Sequence, residues 1–482
     1  MRTQRLFLAT SALALAGTAF AQTIALSPRD VAEARQQHSA LVAEFGGAET
    51  GARAAYVESV GRRVAATSGI GQSLRFTALN SAVENAFAQP GGYVYVTRQL
   101  MGLMNDEAEL GFVLGHETGH VAANHSQARK SASTRNSIIG VLGVLLGSAV
   151  GSNAIGSLIS QGAQLRTLSF SRSQEYQADT LGIRYLSAAG YDPLASRSML
   201  AALSRSSALE ARVQGKDSRA TPEWAQTHPL NENRVRQAAA LAQRSPRAGT
   251  GIRNRDAYLA QIDGMIVDDD PAQGVIDGRS FIHPDLRLQF VVPAGFQIQN
   301  GASAVTVAGS NGQAQFSTGR FNGDFGGYIG QVIQGLTQGK AQVALSALQR
   351  TTINGLPAAF VTGRAQTSSG VVDVSVMAYR FDADTAYHFV MVTPGGQGMR
   401  PFASMLDSLR RISAGEAAAI RPRVIDVVTV RRGDSVASLA ARMAYRDYRA
   451  ERFMSLNGIA SGAALVPGQK VKLVVYGTRA RG

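Results

Sequence analysis

The sequence of 482 residues contains no cysteine. This absence excludes disulfide bonds, thiol redox chemistry and thiolate metal ligands. It also excludes the lipid-modified cysteine that a bacterial lipoprotein carries after its signal peptide. Apolar runs long enough to be convincing membrane-spanning helices, which need roughly 20 residues, are lacking as well. The remaining classes are exported or intracellular proteins that are not held in a membrane by several helices.

The N-terminus has the pattern of a secretory signal peptide. Arg2 and Arg5 form a basic start, an apolar run covers residues 6–16, and residues 19–21 fit the small-x-small rule for cleavage. The alternative is a single membrane anchor, but the apolar run has about half of the roughly 20 residues needed to cross a bilayer. We therefore expect a cleaved signal peptide at residues 1–21 and a periplasmic protein that is not a lipoprotein.

Length and charge limit the domain number and the partners. A chain of 482 residues is too long for one ordinary core, and 45% hydrophobic residues predict a mostly globular protein. The formal net charge of +14 favours contact with anionic surfaces such as phospholipid headgroups or the cell wall. No nucleic-acid-binding motif is present, so nucleic acid is not expected as a partner.

A helix predicted over residues 106–127 carries the residues most suggestive of chemistry. His116 and His120 are four residues apart, so both imidazoles lie on one helix face and can bind one Zn²⁺ ion. Glu117 lies beside them and can reach the open coordination position. There it would take a proton from the attacking water and pass it to the leaving amine. The pattern predicts a zinc-dependent peptidase with one Zn²⁺ per chain.

A second predicted helix, residues 171–189, offers a third metal ligand. Glu175 is the best candidate, and Asp179 follows four residues later on the same face. Asp179 would accept a hydrogen bond from a ligand histidine and fix its tautomer. The alternative is an acidic face exposed to solvent, which the spacing of two carboxylates alone does not exclude.

Several motifs occur in an order that resembles the HtpX/BepA/CAAX-prenyl-peptidase family of zinc metallopeptidases. They cover roughly residues 30 to 240. The matching segments are Asn85-Ala86-Phe87-Ala88, Pro90-Gly91-Gly92, His116-Glu117-Thr118-Gly119-His120, His125, Glu175-Tyr176-Gln177-Ala178-Asp179, Gly190-Tyr191-Asp192-Pro193, Thr227-His228-Pro229 and Arg234. The resemblance implies a gluzincin-type fold in which His116, His120 and Glu175 bind zinc and Glu117 is the base.

The resemblance also implies roles for residues outside the two helices. An extended protein or peptide substrate would add as a strand at Asn85, Ala86 and Phe87. His228 would stabilise the transition state or block the open zinc position. Arg234 would hold the His228 loop or the substrate carbonyl. The alternative for His228 and Arg234 is an ordinary turn with a surface arginine.

The chain departs from the membrane-embedded members of that family, because no convincing transmembrane helix is found. Residues 138–150 are apolar and rich in glycine. They are interpreted either as a buried segment packed over the site or as an element that contacts a membrane, and periodicity does not separate the two. Chaperone-like relatives carry helical repeats after the peptidase, and no such period occurs here.

The remaining sequence divides into further domains. A composition shift at Asp268-Asp269-Asp270-Pro271 and a second one at residues 421–424 indicate linkers. We expect an α+β multidomain protein: a mainly helical metallopeptidase domain with a small sheet at 22–265, an α/β sandwich-like domain of unknown role at 275–415, and a small module at 424–476. In the middle domain, alternating strands are joined by predicted helices at residues 328–348 and 399–412.

The C-terminal module is predicted to have the order strand, helix, helix, strand. The module resembles a LysM domain at three segments. They are Gly433-Asp434-Ser435 at its start, Leu456-Asn457-Gly458 in its middle and Pro467-Gly468-Gln469 at its end. The resemblance implies binding to N-acetylglucosamine polymers, hence to peptidoglycan. The alternative is a module that serves only packing or protein contact.

Three functional hypotheses follow. The first is an endopeptidase that cleaves misfolded or unassembled proteins of the bacterial envelope. The second is a chaperone or assembly factor whose zinc site is closed by His228; Glu117 argues for the enzyme, because pure binding needs no base. The third is a peptidoglycan-associated protein or wall-cleaving enzyme, which the helix motif fits less well than peptide hydrolysis in proteins.

Overall fold

The computed structural model describes residues 26–125, 170–213, 224, 227–230, 232–302, 304–337, 344–367 and 370–478. The expected signal peptide at 1–21 and the apolar segment at 138–150 lie outside the described residues, so both stay predictions. None of the helices among the described residues has the length and apolar character needed to cross a bilayer.

The first part of the chain is mainly helical, as expected. The described helices up to residue 262 are Pro28–Glu44, Gly51–Ala65, Arg98–Leu103, Glu107–Ala122, Arg172–Ala188, Ala195–Val213, Glu232–Gln243 and Arg255–Ile262. A three-stranded sheet accompanies them, with Arg75–Leu79 and Ala86–Ala88 on either side of Tyr93–Thr97. The strand Arg75–Leu79 pairs with Tyr93–Thr97 in parallel, and Ala86–Ala88 pairs with it antiparallel, as a hairpin.

The helix Glu107–Ala122, here called the His-pair helix, is the centre of this part. All of its 16 residues are buried, because helices and sheet surround it on every side. Asp106 begins it: the Asp106 carboxylate accepts a hydrogen bond from the Glu109 backbone N–H at 3.0 Å. Burial of an entire helix fixes the direction of both ligand histidines.

The helix Arg172–Ala188, here called the Glu175 helix, packs against the His-pair helix at very short range. A Cβ atom on Gly182 would lie 2.9 Å from the backbone nitrogen of His116. The Glu175 helix begins with a capping box, in which Ser171 and Gln174 bond to each other's backbone N–H groups. The cap and the close approach together set where Glu175 faces the histidines.

The middle part contains two antiparallel sheets. A four-stranded sheet comprises Val275–Asp277, Ser280–His283, Leu288–Val291 and Arg410–Arg411. An eight-stranded sheet comprises Gln297–Asn300, Val305–Gly309, Gly312–Arg320, Ala344–Leu345, Gln349–Ile353, Leu356–Thr367, Gly370–Arg380 and Thr385–Pro394. The helix Phe325–Thr337 covers one face of the larger sheet, and further helices are Ala403–Ser408 and Ala414–Ala419.

Two helix predictions in the middle part are wrong in extent. The first predicted helix, 328–348, ends in a strand at Ala344–Leu345, and the described helix is Phe325–Thr337. The second, 399–412, is a short 3-10 turn at Arg400–Phe402, a helix at Ala403–Ser408 and a strand at Arg410–Arg411. The strands Ala344–Leu345 and Arg410–Arg411 have only two residues each. In so short a segment, the alternation typical of a strand cannot be distinguished from a helical pattern in the sequence.

The C-terminal module has the predicted strand–helix–helix–strand order: Arg423–Thr429, Val436–Ala440, Arg449–Asn457 and Lys470–Tyr476. Its sheet gains a third strand from Ile266–Val267, which pairs with Arg423–Thr429. Asp268, placed in the expected linker, accepts hydrogen bonds from Arg423 and Tyr445.

The module therefore shares a core with the helical part. Ile425, Phe453, Val471 and Leu473 belong to the same hydrophobic cluster as residues of the His-pair helix. The buried ammonium of Lys472 donates hydrogen bonds to the carbonyls of Gly102, Leu103 and Met104 at the end of the helix Arg98–Leu103. The module is anchored on the helical part by both apolar and polar contacts.

Candidate metal centre

Four side chains that can bind a metal meet between the two central helices. They are His116, His120, Glu175 and His228; all are buried, and one ligand atom from each lies within 4.8 Å of the others. The first two come from the His-pair helix and the third from the Glu175 helix. Among the described residues, this is the cluster whose composition suits a divalent metal.

The distances between these atoms match the edges of a tetrahedral zinc site. With metal bonds of about 2.0–2.1 Å, the edges of a tetrahedron are about 3.3 Å long. His116 Nε2 lies 3.1 Å from His120 Nε2. Glu175 Oε2 lies 3.6 Å from His116 Nε2, and Glu175 Oε1 lies 3.4 Å from His120 Nε2. The spacing of the three side chains is compatible with a bound divalent metal ion.

The outer nitrogens of both histidines are already hydrogen bonded. His116 Nδ1 lies 2.9 Å from an Asp179 oxygen, and His120 Nδ1 lies 2.9 Å from His125 Nδ1. When these outer nitrogens carry the protons, the lone pairs of both Nε2 atoms face the shared centre. His125 is itself fixed by Gln177, whose side-chain oxygen lies 3.1 Å from His125 Nε2.

The charges around the centre favour anionic carboxylates. Burial alone would raise the pKa of Asp179, but its ion pair with Arg234 holds that pKa below its usual value. Burial likewise opposes ionisation of Glu175, yet His228 and Arg234 hold the Glu175 pKa well below its usual value. A negatively charged oxygen ligand is what a divalent cation requires.

Arg234 links the Glu175 helix to the segment that carries His228. Its guanidinium binds Asp179 through Nε at 2.7 Å and Nη2 at 2.9 Å, and it approaches Glu175 at 2.5 Å. It also donates to the His228 carbonyl at 3.3 Å. Of the two roles that the family resemblance implies for Arg234, these contacts correspond to holding the loop.

Glu117 and His228 lie next to each other at the cluster, and both are buried. Glu117 Oε1 is buried, has no hydrogen-bond partner among the described residues, and lies 3.5 Å from His228 Nε2. His228 Nδ1 lies 3.3 Å from His116 Nε2 and 3.0 Å from Glu175. His228 Nδ1 thus lies at a fourth position of the ligand cluster.

Two aromatic rings at the centre were not predicted. Phe170 stacks on His120 with ring centroids 3.7 Å apart, and Trp224 stacks on His228 at 4.7 Å. Trp224 is the single tryptophan of the chain, and its position four residues before His228 was the available signal. Both rings exclude water from the ligand nitrogens.

The predicted substrate segment lies along the His-pair helix. Asn85 is joined to Thr97, whose hydroxyl donates to the Asn85 carbonyl at 3.0 Å. Ala86 and Phe87 follow in an edge strand of the small sheet. The Phe87 ring packs on Tyr95, with ring centroids 4.9 Å apart.

Comparison with known proteins assigns two domains. Residues 51–242 match the profile of Peptidase family M48, and residues 428–474 match the LysM domain. The chain thus contains a peptidase family M48 domain followed by a LysM domain.

Similar proteins include peptidases of bacteria and mitochondria. A beta-barrel assembly-enhancing protease of Yersinia pestis is 32% identical over 190 residues, 38% of this chain and 37% of that protein. A mitochondrial metalloendopeptidase OMA1 of Schizosaccharomyces pombe is 32% identical over 182 residues, 38% and 50% of the two chains. Metalloprotease LoiP of Escherichia coli K12 is 32% identical over 123 residues, 26% and 48%. The chain spans 37–50% of the length of these relatives.

Proposed function

We propose that this chain is a zinc-dependent endopeptidase of the bacterial cell envelope that hydrolyses peptide bonds in misfolded or unassembled envelope proteins. The observation that carries the proposal is the close spacing of His116, His120 and Glu175 beside Glu117, whose Oε1 has no hydrogen-bond partner among the described residues. The names of the similar proteases, one of them an enhancer of β-barrel assembly, support a substrate among envelope proteins.

The residues divide the reaction between them. His116, His120 and Glu175 would hold Zn²⁺, which when bound polarises a carbonyl and makes a water molecule a nucleophile near neutral pH. Glu117 would take the proton from the attacking water and deliver it to the leaving nitrogen. Asp179 and Arg234 would keep His116 and Glu175 in position. The edge strand at Ala86 and Phe87 would pair with an extended substrate.

A second candidate is a latent protein whose zinc site is closed. The observation that favours it is the position of His228 Nδ1, 3.3 Å from His116 Nε2 and within the ligand cluster. A histidine bound at the fourth corner would exclude the nucleophilic water. In that case the chain would act as an assembly factor until His228 moves away.

Hydrolysis of an unfolded protein such as casein tests the proposal. We expect the zinc-loaded chain to cleave it and Glu117→Gln to lose activity by roughly 10²- to 10⁴-fold, because general acid–base catalysis contributes that much. Glu232→Gln, on a side chain 91% exposed, is the matched control and should cleave normally.

His228→Ala separates the two candidates. Inactivity of the wild type with activity in His228→Ala would identify a latent peptidase closed by His228. Bound zinc without cleavage in either protein would contradict the peptidase and favour the assembly factor.

The LysM domain supports a location in the envelope, with peptidoglycan as a ligand of residues 424–476. A pull-down on purified peptidoglycan checks this. Because the module shares a core with the helical part, point variants on the module are preferable to its deletion. Recovery of the chain entirely in the supernatant would remove peptidoglycan from the partners.

A further inference from the structure

The C-terminal module carries an unusual density of arginine. Residues 421–452 contain eight arginines and only four carboxylates. Six of the arginines are exposed: Arg421, Arg431, Arg432, Arg442, Arg446 and Arg449. Neither the metal centre nor the core of the module uses these six side chains.

Four of the six lie at one edge of the module. The two outer strands pair so that Arg423 is opposite Tyr476, and the guanidinium Nε of Arg423 donates to the Ala444 carbonyl at 3.0 Å. This contact brings the strand end with Arg421 next to the turn at residues 441–449. Arg449 Nη1 in turn donates to the Ala441 carbonyl at 3.4 Å. We call Arg421, Arg442, Arg446, Arg449, Tyr448 and Tyr476 the arginine edge.

The arginine edge has spare positive charge. Arg421 and Arg449 have no carboxylate within 4.0 Å among the described residues. Arg442 pairs with Asp426 at 3.5 Å and Arg446 with Asp277 at 3.0 Å, but these arginine side chains are 50% and 85% exposed. Exposed ion pairs of this kind contribute little stabilisation, and salt screens the attraction between the two charges. A dense anionic surface can therefore compete with these two carboxylates. Arg421 donates to the carbonyls of Tyr476 and Gly477 at 2.7 Å and 3.0 Å, and these neutral partners leave its charge unbalanced.

Two exposed tyrosines lie among the arginines of the arginine edge. Tyr448 is 39% exposed and Tyr476 is 50% exposed, and the Arg421 guanidinium lies 5.7 Å from the centre of the Tyr476 ring. An aromatic ring with a polar tip suits the boundary between lipid headgroups and acyl chains. Guanidinium groups match phosphate oxygens in a two-pronged geometry. A neutral glycan could stack on the rings but would make no use of the charge.

We propose that the arginine edge is a docking surface for the anionic phospholipid headgroups of a bilayer. Because the module is anchored to the helical part through Lys472 and a shared core, docking of this edge would fix the orientation of the whole M48 domain relative to the membrane. The proposal is independent of whether the metal centre is catalytic.

Co-sedimentation of the full chain with lipid vesicles tests the proposal. Vesicles of phosphatidylcholine alone are compared with vesicles that also contain phosphatidylglycerol, at low and physiological salt. We expect binding only with phosphatidylglycerol, and weaker binding as salt rises. The double variant Arg421→Gln with Arg449→Gln should bind on the order of tenfold or more weakly, since each basic residue near an anionic surface contributes roughly fivefold.

The same module provides the matched control. Arg431 and Arg432 are equally exposed but follow the opposite end of the strand Arg423–Thr429, where no exposed tyrosine accompanies them. Arg431→Gln with Arg432→Gln removes the same charge, and we expect clearly less loss of binding. An unchanged melting temperature in both double variants shows that each is folded.

Three results would overturn the docking surface. If both double variants lose the same amount of vesicle binding, the attraction is a general effect of positive charge and not a property of the arginine edge. If the chain binds both vesicle types equally, it does not recognise anionic headgroups. Retention on peptidoglycan that depends on Arg421 and Arg449, with no vesicle binding, would make an anionic wall polymer the occupant instead.

Discussion

At the scale of single residues, the metal centre depends on carboxylates that orient the ligands. Asp179 accepts from His116 and simultaneously binds Arg234 through two hydrogen bonds. Burial alone would lower the pKa of His116, but Asp179 and Glu175 raise it above its usual value. A histidine made more basic in this way is a stronger metal ligand.

Asp179→Asn should therefore weaken zinc binding. The amide keeps the shape of the carboxylate but removes its charge, and we expect zinc affinity to fall on the order of 10- to 100-fold, the usual cost of losing a partner of a ligand histidine. Competition with a chromophoric chelator measures the affinity. Asp256→Asn, on a side chain 72% exposed, should leave it unchanged. Unaltered affinity in Asp179→Asn would show that His116 needs no orienting carboxylate.

The clustering of His116, His120 and Glu175 could be predicted from the sequence, because the spacing within each helix is local and the family motif joins the two helices. His116, Glu117 and His120 lie within two turns of one helix, and Glu175 and Asp179 lie one turn apart on another. Phe170 and Trp224 could not be predicted, since they meet His120 and His228 only through the packing of separate segments. His125 is one of the motif residues, but its contact with His120 depends on the backbone bend after the helix, where Asn124 has a φ of 55°.

At the scale of elements, the site depends on how closely the His-pair helix and the Glu175 helix approach. Gly182 lies on the Glu175 helix where the backbone of His116 passes. A Cβ there would be 2.9 Å from the His116 nitrogen and 3.1 Å from its Cα. These are backbone atoms, which cannot relieve a clash by a rotamer change as a flexible side chain can. Any substitution at Gly182 must push the two helices apart.

Gly182→Ala should lower both stability and zinc content. We expect a loss of about 1–3 kcal/mol in the free energy of unfolding, as for other overpacked cores, because Glu175 is shifted away from the histidines. Thermal melting and zinc analysis measure the two effects.

Gly330→Ala is the matched control in the helix Phe325–Thr337, where an added Cβ meets nothing within 4 Å. It should be neutral or stabilise the helix by up to about 1 kcal/mol. A Gly182→Ala protein with full zinc and normal stability would contradict the tight packing.

Elements with strong local signals could be predicted, and those defined by distant partners could not. The Ser171 capping box and the hairpin around residues 86–97 follow from nearby residues. The strand Ile266–Val267 has only two residues and exists because Arg423–Thr429 pairs with it. It precedes a run of aspartates, and the composition there indicated a linker. The strand Ala344–Leu345 was likewise missed, because its residues continue the apolar pattern of the helix predicted at 328–348.

At the scale of the whole molecule, the LysM module and the helical part share one hydrophobic core. Lys472 is central to this joint: it is fully buried, and burial lowers its pKa to about 7 although Glu109 opposes the shift. Its ammonium donates hydrogen bonds to three carbonyls at 2.6–3.2 Å. These carbonyls lie at the end of the helix Arg98–Leu103, and the Leu103 carbonyl also accepts from Asn105 Nδ2 at 3.2 Å.

Lys472→Met should destabilise the helical part as well as the module. Removing the ammonium leaves buried carbonyls unsatisfied, at about 1–3 kcal/mol for each such group, so we expect a lower melting temperature for a single, shared unfolding transition. Lys470→Met is the matched control: its ion pair with Asp256 is exposed and worth at most about 1 kcal/mol. Separate transitions, with the helical part unaffected, would show that the module is merely tethered.

The central claim is that His116, His120 and Glu175 hold a catalytic zinc ion. Zinc K-edge absorption of the purified chain, with the metal content determined on the same sample, tests it most directly. We predict one Zn²⁺ per chain with nitrogen and oxygen ligands at about 2.0–2.1 Å, and loss of the metal in Glu175→Ala. A zinc-free protein after growth in zinc, or full zinc retained in Glu175→Ala, would contradict the account.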